Sequence, residues 1–163
     1  MKSQKTAQLH LFVCLVIFFA CLSPLAYSQI TINNIQNFNF GTFYQGSTGG
    51  SIDITTSGSR SANGDIILMN NMSSGAQAIF EIEAPKGAVI SLLGTPDATL
   101  TGSNGGVVTL QLGTADLNNP FIVTTVSPAL TRIQISGKLL VGNSKTSPPG
   151  LYQGTFAITL NQE

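Results

Sequence analysis

A chain of 163 residues with seven Lys+Arg, seven Asp+Glu and 9% charged side chains has room for one domain and no charge imbalance with which to hold nucleic acid or an anionic membrane. One His, two Cys, no Trp and 17 Gly make it poor in catalytic groups and rich in turn formers.

The first element in chain order is a leader. Lys2 and Lys5 precede a twelve-residue apolar run, Leu11 to Leu22, followed by Pro24 and the small-residue site Ala26-Tyr27-Ser28. A basic start, a short apolar stretch and an A-x-S site predict a signal helix over residues 1–28, cut between Ser28 and Gln29. The run is short of the roughly 20 apolar residues a spanning helix needs, so no transmembrane segment is expected in the mature chain. Cys21, behind Ala20, offers lipidation as the alternative, although Phe18 and Phe19 stand where such a site usually carries Leu and a small residue.

Cleavage would remove His10, Cys14 and Cys21, leaving residues 29–163 as a single domain with no His and no Cys. That excludes imidazole-assisted nucleophiles, thiolate chemistry, disulfides and the usual zinc ligands, so no catalytic, cofactor-binding or metal-binding residue is assigned. Losing Lys2 and Lys5 leaves five basic against seven acidic residues, which excludes an electrostatic nucleic-acid binder. At this size a core can bury about two-thirds of the unfolded surface without cross-links.

From Gln29 onward apolar residues recur with period two, interrupted by Gly, Pro, Asn and Ser, which predicts many short strands. Ile30 and Ile32 alternate until Asn33-Asn34, and the pattern resumes out of phase at Ile35. Phe38 and Phe40 follow, then Ile52 and Ile54, then Ile66 and Leu68, with Ile67 between them predicting a strand covered on both faces. Phe80 and Ile82 alternate with Glu81 and Glu83; Val108, Leu110 and Leu112 with Thr109 and Gln111; Ile133, Ile135, Leu139 and Val141 share one parity across Gly137. A last run, residues 150–161, aligns Tyr152, Phe156, Ile158 and Leu160, with Gly154 marking a close backbone approach or a bulge. Asn63-Gly64 predicts a tight hairpin and Pro148-Pro149-Gly150 a type II turn. Eight to ten short strands read as an all-β, antiparallel, immunoglobulin-like sandwich, with a closed barrel as the alternative architecture.

Four segments also carry a resemblance. Asn37-Phe38-Asn39-Phe40-Gly41-Thr42-Phe43, Gly58-Ser59-Arg60-Ser61, Gly137-Lys138-Leu139-Leu140-Val141-Gly142 and the closing stretch Gly150 to Leu160 resemble the secreted bacterial family called domain of unknown function 4402. That resemblance covers the mature chain and brings no catalytic or binding residues with it. The closing strand is also similar to the last strand of spore-coat-U-like and fimbrial subunits, which implies self-association, or pairing with another surface protein, by strand addition.

Individual residues weigh toward structure. Glu81 and Glu83 share a strand face and can in principle hold a cation, but an exposed polar face accounts for them. Asp116-Leu117-Asn118-Asn119 has turn chemistry without the carboxylate density of a calcium loop. Arg60 is placed to pair with Asp65 beside a turn. Asn71-Met72-Ser73 matches a glycosylation acceptor by spacing alone. Tyr44 and Tyr152 are possible sugar-facing aromatics, Tyr152 being expected half-buried with its hydroxyl bonded at a sheet edge. The expected function is an exported, non-enzymatic structural or adhesive subunit of the periplasm, cell surface or medium. The alternative is a monomeric extracellular module binding glycan or protein.

Overall fold

The computed structural model describes residues 30–69, 74–93 and 96–163. The expected signal helix, its Ser28/Gln29 cleavage site, Cys21 and the Asn71 acceptor lie outside the described residues. Within them the protein is all-β, with strands β1 (Thr31–Gln36), β2 (Phe43–Ile54), β3 (Arg60–Leu68), β4 (Ala78–Glu83), β5 (Val89–Leu93), β6 (Ala98–Gly102), β7 (Val107–Ala115), β8 (Phe121–Ile122), β9 (Thr131–Val141), β10 (Tyr152–Gln153) and β11 (Thr159–Gln162). The strands pair antiparallel throughout. They form the antiparallel sandwich that the alternation predicts: a small sheet, β11-β5-β8, faces a large one ordered β1-β4-β9-β7-β6-β10, from which β2 and β3 branch.

Strand β9 organises the molecule. Ile133, Ile135, Leu139 and Val141 are buried on one face, and Arg132 and Leu140 are exposed on the other, so the period of two in the sequence is the division between core and solvent. One edge of β9 is shared by two partners, β4 along Thr131–Ile135 and β2 along Gly137–Val141, while β7 occupies the other edge. The branch divides the core. One cluster, around Phe80, Ile82, Ile90, Val123, Ile133 and Ile135, lies between the two sheets. The second, around Ile52, Ile54, Val108, Leu110, Leu139 and Val141, is wrapped by the curl of the large sheet.

Phe38 and Phe156 pack against both clusters, with ring centroids 5.3 Å apart. Phe38 also stacks on Phe40 at 5.7 Å and Phe156 meets Phe80 edge-on at 6.2 Å. Gly137, at the point where β4 gives way to β2, lets the Phe38 ring lie against the β9 backbone: a Cβ there would sit 2.8 Å from Phe38 Cε1. Each fully buried aliphatic in these clusters contributes roughly 1.5–3 kcal/mol.

Several local expectations are corrected. Asn63 and Gly64 lie inside β3, opposite Ser51 and Gly50; the hairpin turns instead at Thr55–Ser59, where Gly58 has a φ of 83°. Gly64 serves an irregularity, since β2 carries extra residues between Gln45 and Gly50. Gly150 is not among the glycines with positive φ, so Pro148-Pro149-Gly150 is not a type II turn. Ile67 is 63% exposed, because among the described residues β3 is an edge strand paired with β2 alone and has no layer over its outer face. The last run is two strands: β10 pairs with β6 and β11 with β5, so the chain changes sheet between Gln153 and Thr159. Its parity survives the change, and Phe156, Ile158 and Leu160 pack on the core. Gly154 allows a close approach, an added Cβ falling 2.7 Å from the Thr99 carbonyl oxygen.

Candidate functional site

Apart from Tyr44 and Tyr152, which line one groove, the residues singled out in the sequence are scattered and mostly engaged in structure. Glu81 and Glu83 sit on β4 opposite Asn33 and Thr31 of β1, and the Glu83 carboxylate accepts from Ser127 Oγ at 2.7 Å. Asp116 closes a local ladder, accepting from the Gln134 main-chain N–H at 2.8 Å and from its amide at 3.1 Å. Asn119 acts as a substitute strand, since its amide donates to the Leu92 carbonyl and accepts from the Leu92 N–H, both at 2.8 Å. That continues the β5 edge beyond its pairing with β8.

Arg60 does not bind Asp65. Its guanidinium donates to the Phe40 carbonyl at 2.6 Å and to that of Thr42 at 3.5 Å, which fixes the segment between β1 and β2. Asp65 instead accepts from the Thr48 N–H at 3.2 Å and from the Ser47 and Thr48 hydroxyls, holding the extra residues of β2. Among the described residues the ion pair within 4 Å is Lys138 to Asp53, at 3.3 Å on the surface.

Sequence reasoning names Tyr44 and Tyr152 but misses the groove of about 370 Å³ that both of them line. One wall is the segment from Phe38 to Gln45, the other runs from Ser147 to Tyr152, and Leu100, Leu139 and Val141 form the floor. Tyr44, 62% exposed, and Leu151, 66% exposed, stand on opposite rims. Among the described residues no charged side chain lines it. Tyr152, half-buried as expected, donates its hydroxyl to the Pro148 carbonyl at 2.6 Å, and burial raises its pKa above the ordinary tyrosine value. The polar side chains of the walls largely turn inward. Ser147 Oγ donates to the Val107 carbonyl at 2.6 Å and accepts from the Gly142 N–H at 3.1 Å. The Gln45 amide donates to the Gly142 carbonyl, and Asn39 Oδ1 accepts from the Gly41 N–H at 2.8 Å.

The groove is also bordered by strand edge. Strand β9 pairs with β2 only along Gly50–Ile54, so the first residues of β2 run on past it. The Met69 N–H donates to the Thr42 carbonyl at 3.0 Å, which makes Thr42 and Met69 a bonded pair in the β2–β3 ladder. Alternation then turns the N–H and C=O of Phe43 and Gln45 away from β3. A second cavity, about 480 Å³, opens where β5 and β7 diverge, lined by Leu92, Leu112, Ala115, Leu117 and Ile135 among others.

The other conspicuous feature is β1. Among the described residues it pairs with β4 alone, on one side, and five of its six residues are exposed. Ile32 and Ile35 are 40% and 49% exposed. The break in alternation at Asn33-Asn34 corresponds to a register shift between Asn34 and Gln36.

Fold and site thus define an antiparallel β-sandwich with a projecting edge strand and an uncharged groove. Residues 30–162 match the family described as Domain of unknown function (DUF4402), and the chain belongs to that family. No curated protein and no solved structure matches the chain.

Proposed function

We infer that this protein is an exported, non-enzymatic structural subunit of a cell-surface or extracellular assembly, joined to its neighbours through sheet edges. The observation that carries the reading is β1: among the described residues, an edge strand with exposed residues on both faces, no partner on its outer edge and two exposed isoleucines. Such an edge is a template for another chain unless charge, proline or a covering element blunts it. Strand β1 carries no charged residue and no proline. Export follows from the basic, apolar and A-x-S succession over residues 1–28, and the lack of His and Cys after residue 28 supports a role outside catalysis. A second reading, a monomeric extracellular module that binds glycan or protein, rests on the uncharged groove with Tyr44 and Leu151 on its rims, a polypeptide suiting its inward-bonded polar side chains better than a glycan.

Sedimentation of the protein recovered from the cell surface or medium of exporting cells tests the first reading. A ladder of multimers is expected. A single small species at every concentration, or a chain retained uncleaved inside the cell, would refute it.

A further inference from the structure

We propose that the groove between the start of β2 and the Ser147–Tyr152 segment is the acceptor for strand β1 of a second copy, so that copies join head to tail. This rests on the assembly reading above and names the partner surface. The occupant is a β1 that stays paired to its own β4 and enters the neighbour's groove by its open edge.

Shape supports the match. A six-residue strand is about 20 Å long, and β1 projects from the sandwich with both faces exposed, as a tongue entering a two-walled slot must. The slot offers a strand what it needs: outward-turned main-chain groups at Phe43 and Gln45 along one side, and an apolar floor of Leu100, Leu139 and Val141. Charge supports it too. Residues 29–52 contain no Asp, Glu, Lys or Arg, so the tongue is neutral, and the slot has no counter-charge for an ionised partner. The inward-turned Ser147, Gln45 and Tyr152 side chains argue against a glycan, which needs side-chain hydrogen bonds that these residues already spend within the protein.

Tongue and slot are different surfaces, so the contact is heterologous and propagates into chains rather than closing a two-fold dimer. This gives a specific test in the full chain recovered after export, read by sedimentation velocity. Ile32→Asp blocks the tongue and leaves the slot free; Leu151→Asp blocks the slot and leaves the tongue free. Ile35→Asp and Tyr44→Asp serve as second variants at each surface. All four positions are exposed, so unchanged thermal midpoints are expected. Each variant alone should weaken association at least about tenfold. An equimolar mixture of Ile32→Asp and Leu151→Asp retains one usable tongue and one usable slot, and should form dimers and nothing larger. Multimers that persist in Leu151→Asp, or a mixture that gives no dimer, would overturn the slot while leaving assembly standing. A monomeric wild type at all concentrations, with the groove left to a glycan or a foreign peptide, would overturn both.

Discussion

Replacing Gly137 by alanine tests whether the branch point of the large sheet is held by Phe38. A glycine in mid-strand ordinarily costs roughly 0.5–1 kcal/mol relative to alanine, and Gly137 is not among the glycines with positive φ. With free space above it, Gly137→Ala would therefore stabilise. Instead the new Cβ would meet Phe38 Cε1 at 2.8 Å and Cζ at 2.9 Å, where ordinary contact begins near 3.4 Å. The ring must retreat by roughly 0.6 Å into Phe40 and Phe156, whose centroids lie 5.7 and 5.3 Å away. Overpacking of this kind costs about 1–3 kcal/mol, so the net expectation is a loss of about 1–2 kcal/mol. Urea unfolding should show a lower midpoint at an unchanged slope. Adding Phe38→Leu removes the ring edge, and the double variant should show a coupling of about 1 kcal/mol or more. Stabilisation by Gly137→Ala, or additivity of the two changes, would refute the reasoning.

Phe156→Ala removes the ring that touches Phe38 and Phe80 and joins the two core clusters; being only partly buried, it should cost about 3 kcal/mol in urea unfolding, the lower end of the range for such truncations. A loss below about 1 kcal/mol would mean that the clusters are independent. Tyr152→Phe deletes the hydrogen bond to the Pro148 carbonyl and should cost about 1 kcal/mol at neutral pH. Burial raises the Tyr152 pKa above 10.0, so the folded protein keeps a proton that the unfolded chain releases. The corresponding stability is complete below that value and is lost as pH rises through the folded-state pKa. Stability measured from about pH 8 to 11 should therefore fall less in Tyr152→Phe than in wild type, and parallel curves would contradict the assignment.

Central strands are the legible part of this fold. In β4, β7 and β9 one face is always core, so alternation is enforced residue by residue and appears in the sequence as Phe80/Ile82, Val108/Leu110 and Ile133/Ile135. Even the slip at Asn33-Asn34 is readable, because a register shift in β1 must put the next isoleucine out of phase. Edges are less legible. Ile67 looks like a residue covered on both faces, yet it lies on an edge strand with only one covered face. Asn63-Gly64 has the chemistry of a hairpin, and the same positive-φ freedom here serves a widened stretch of ladder opposite Gly50. A local signal reports backbone conformation, but whether that conformation reverses the chain depends on the partner strand.

The groove was hidden for a related reason. Its walls come from residues 38–45 and 147–152, about a hundred positions apart, and neither segment has a hydrophobic period that distinguishes it from ordinary turn and strand. Arg60 shows the difficulty in one side chain. From sequence alone its nearest acidic neighbour is Asp65, and a local ion pair is the natural expectation. The fold instead brings the Phe40 and Thr42 carbonyls to the guanidinium, where a charge-assisted donor to main chain is stronger than an exposed ion pair. Asp65 is left to hold the extra residues of β2 through Ser47 and Thr48. Those two polar anchors set the path of the chain on either side of Phe43–Gln45, and with it the width and edge of the groove. The groove is therefore a product of strand placement rather than of reactive side chains, which is what the proposed strand-acceptor role requires of it.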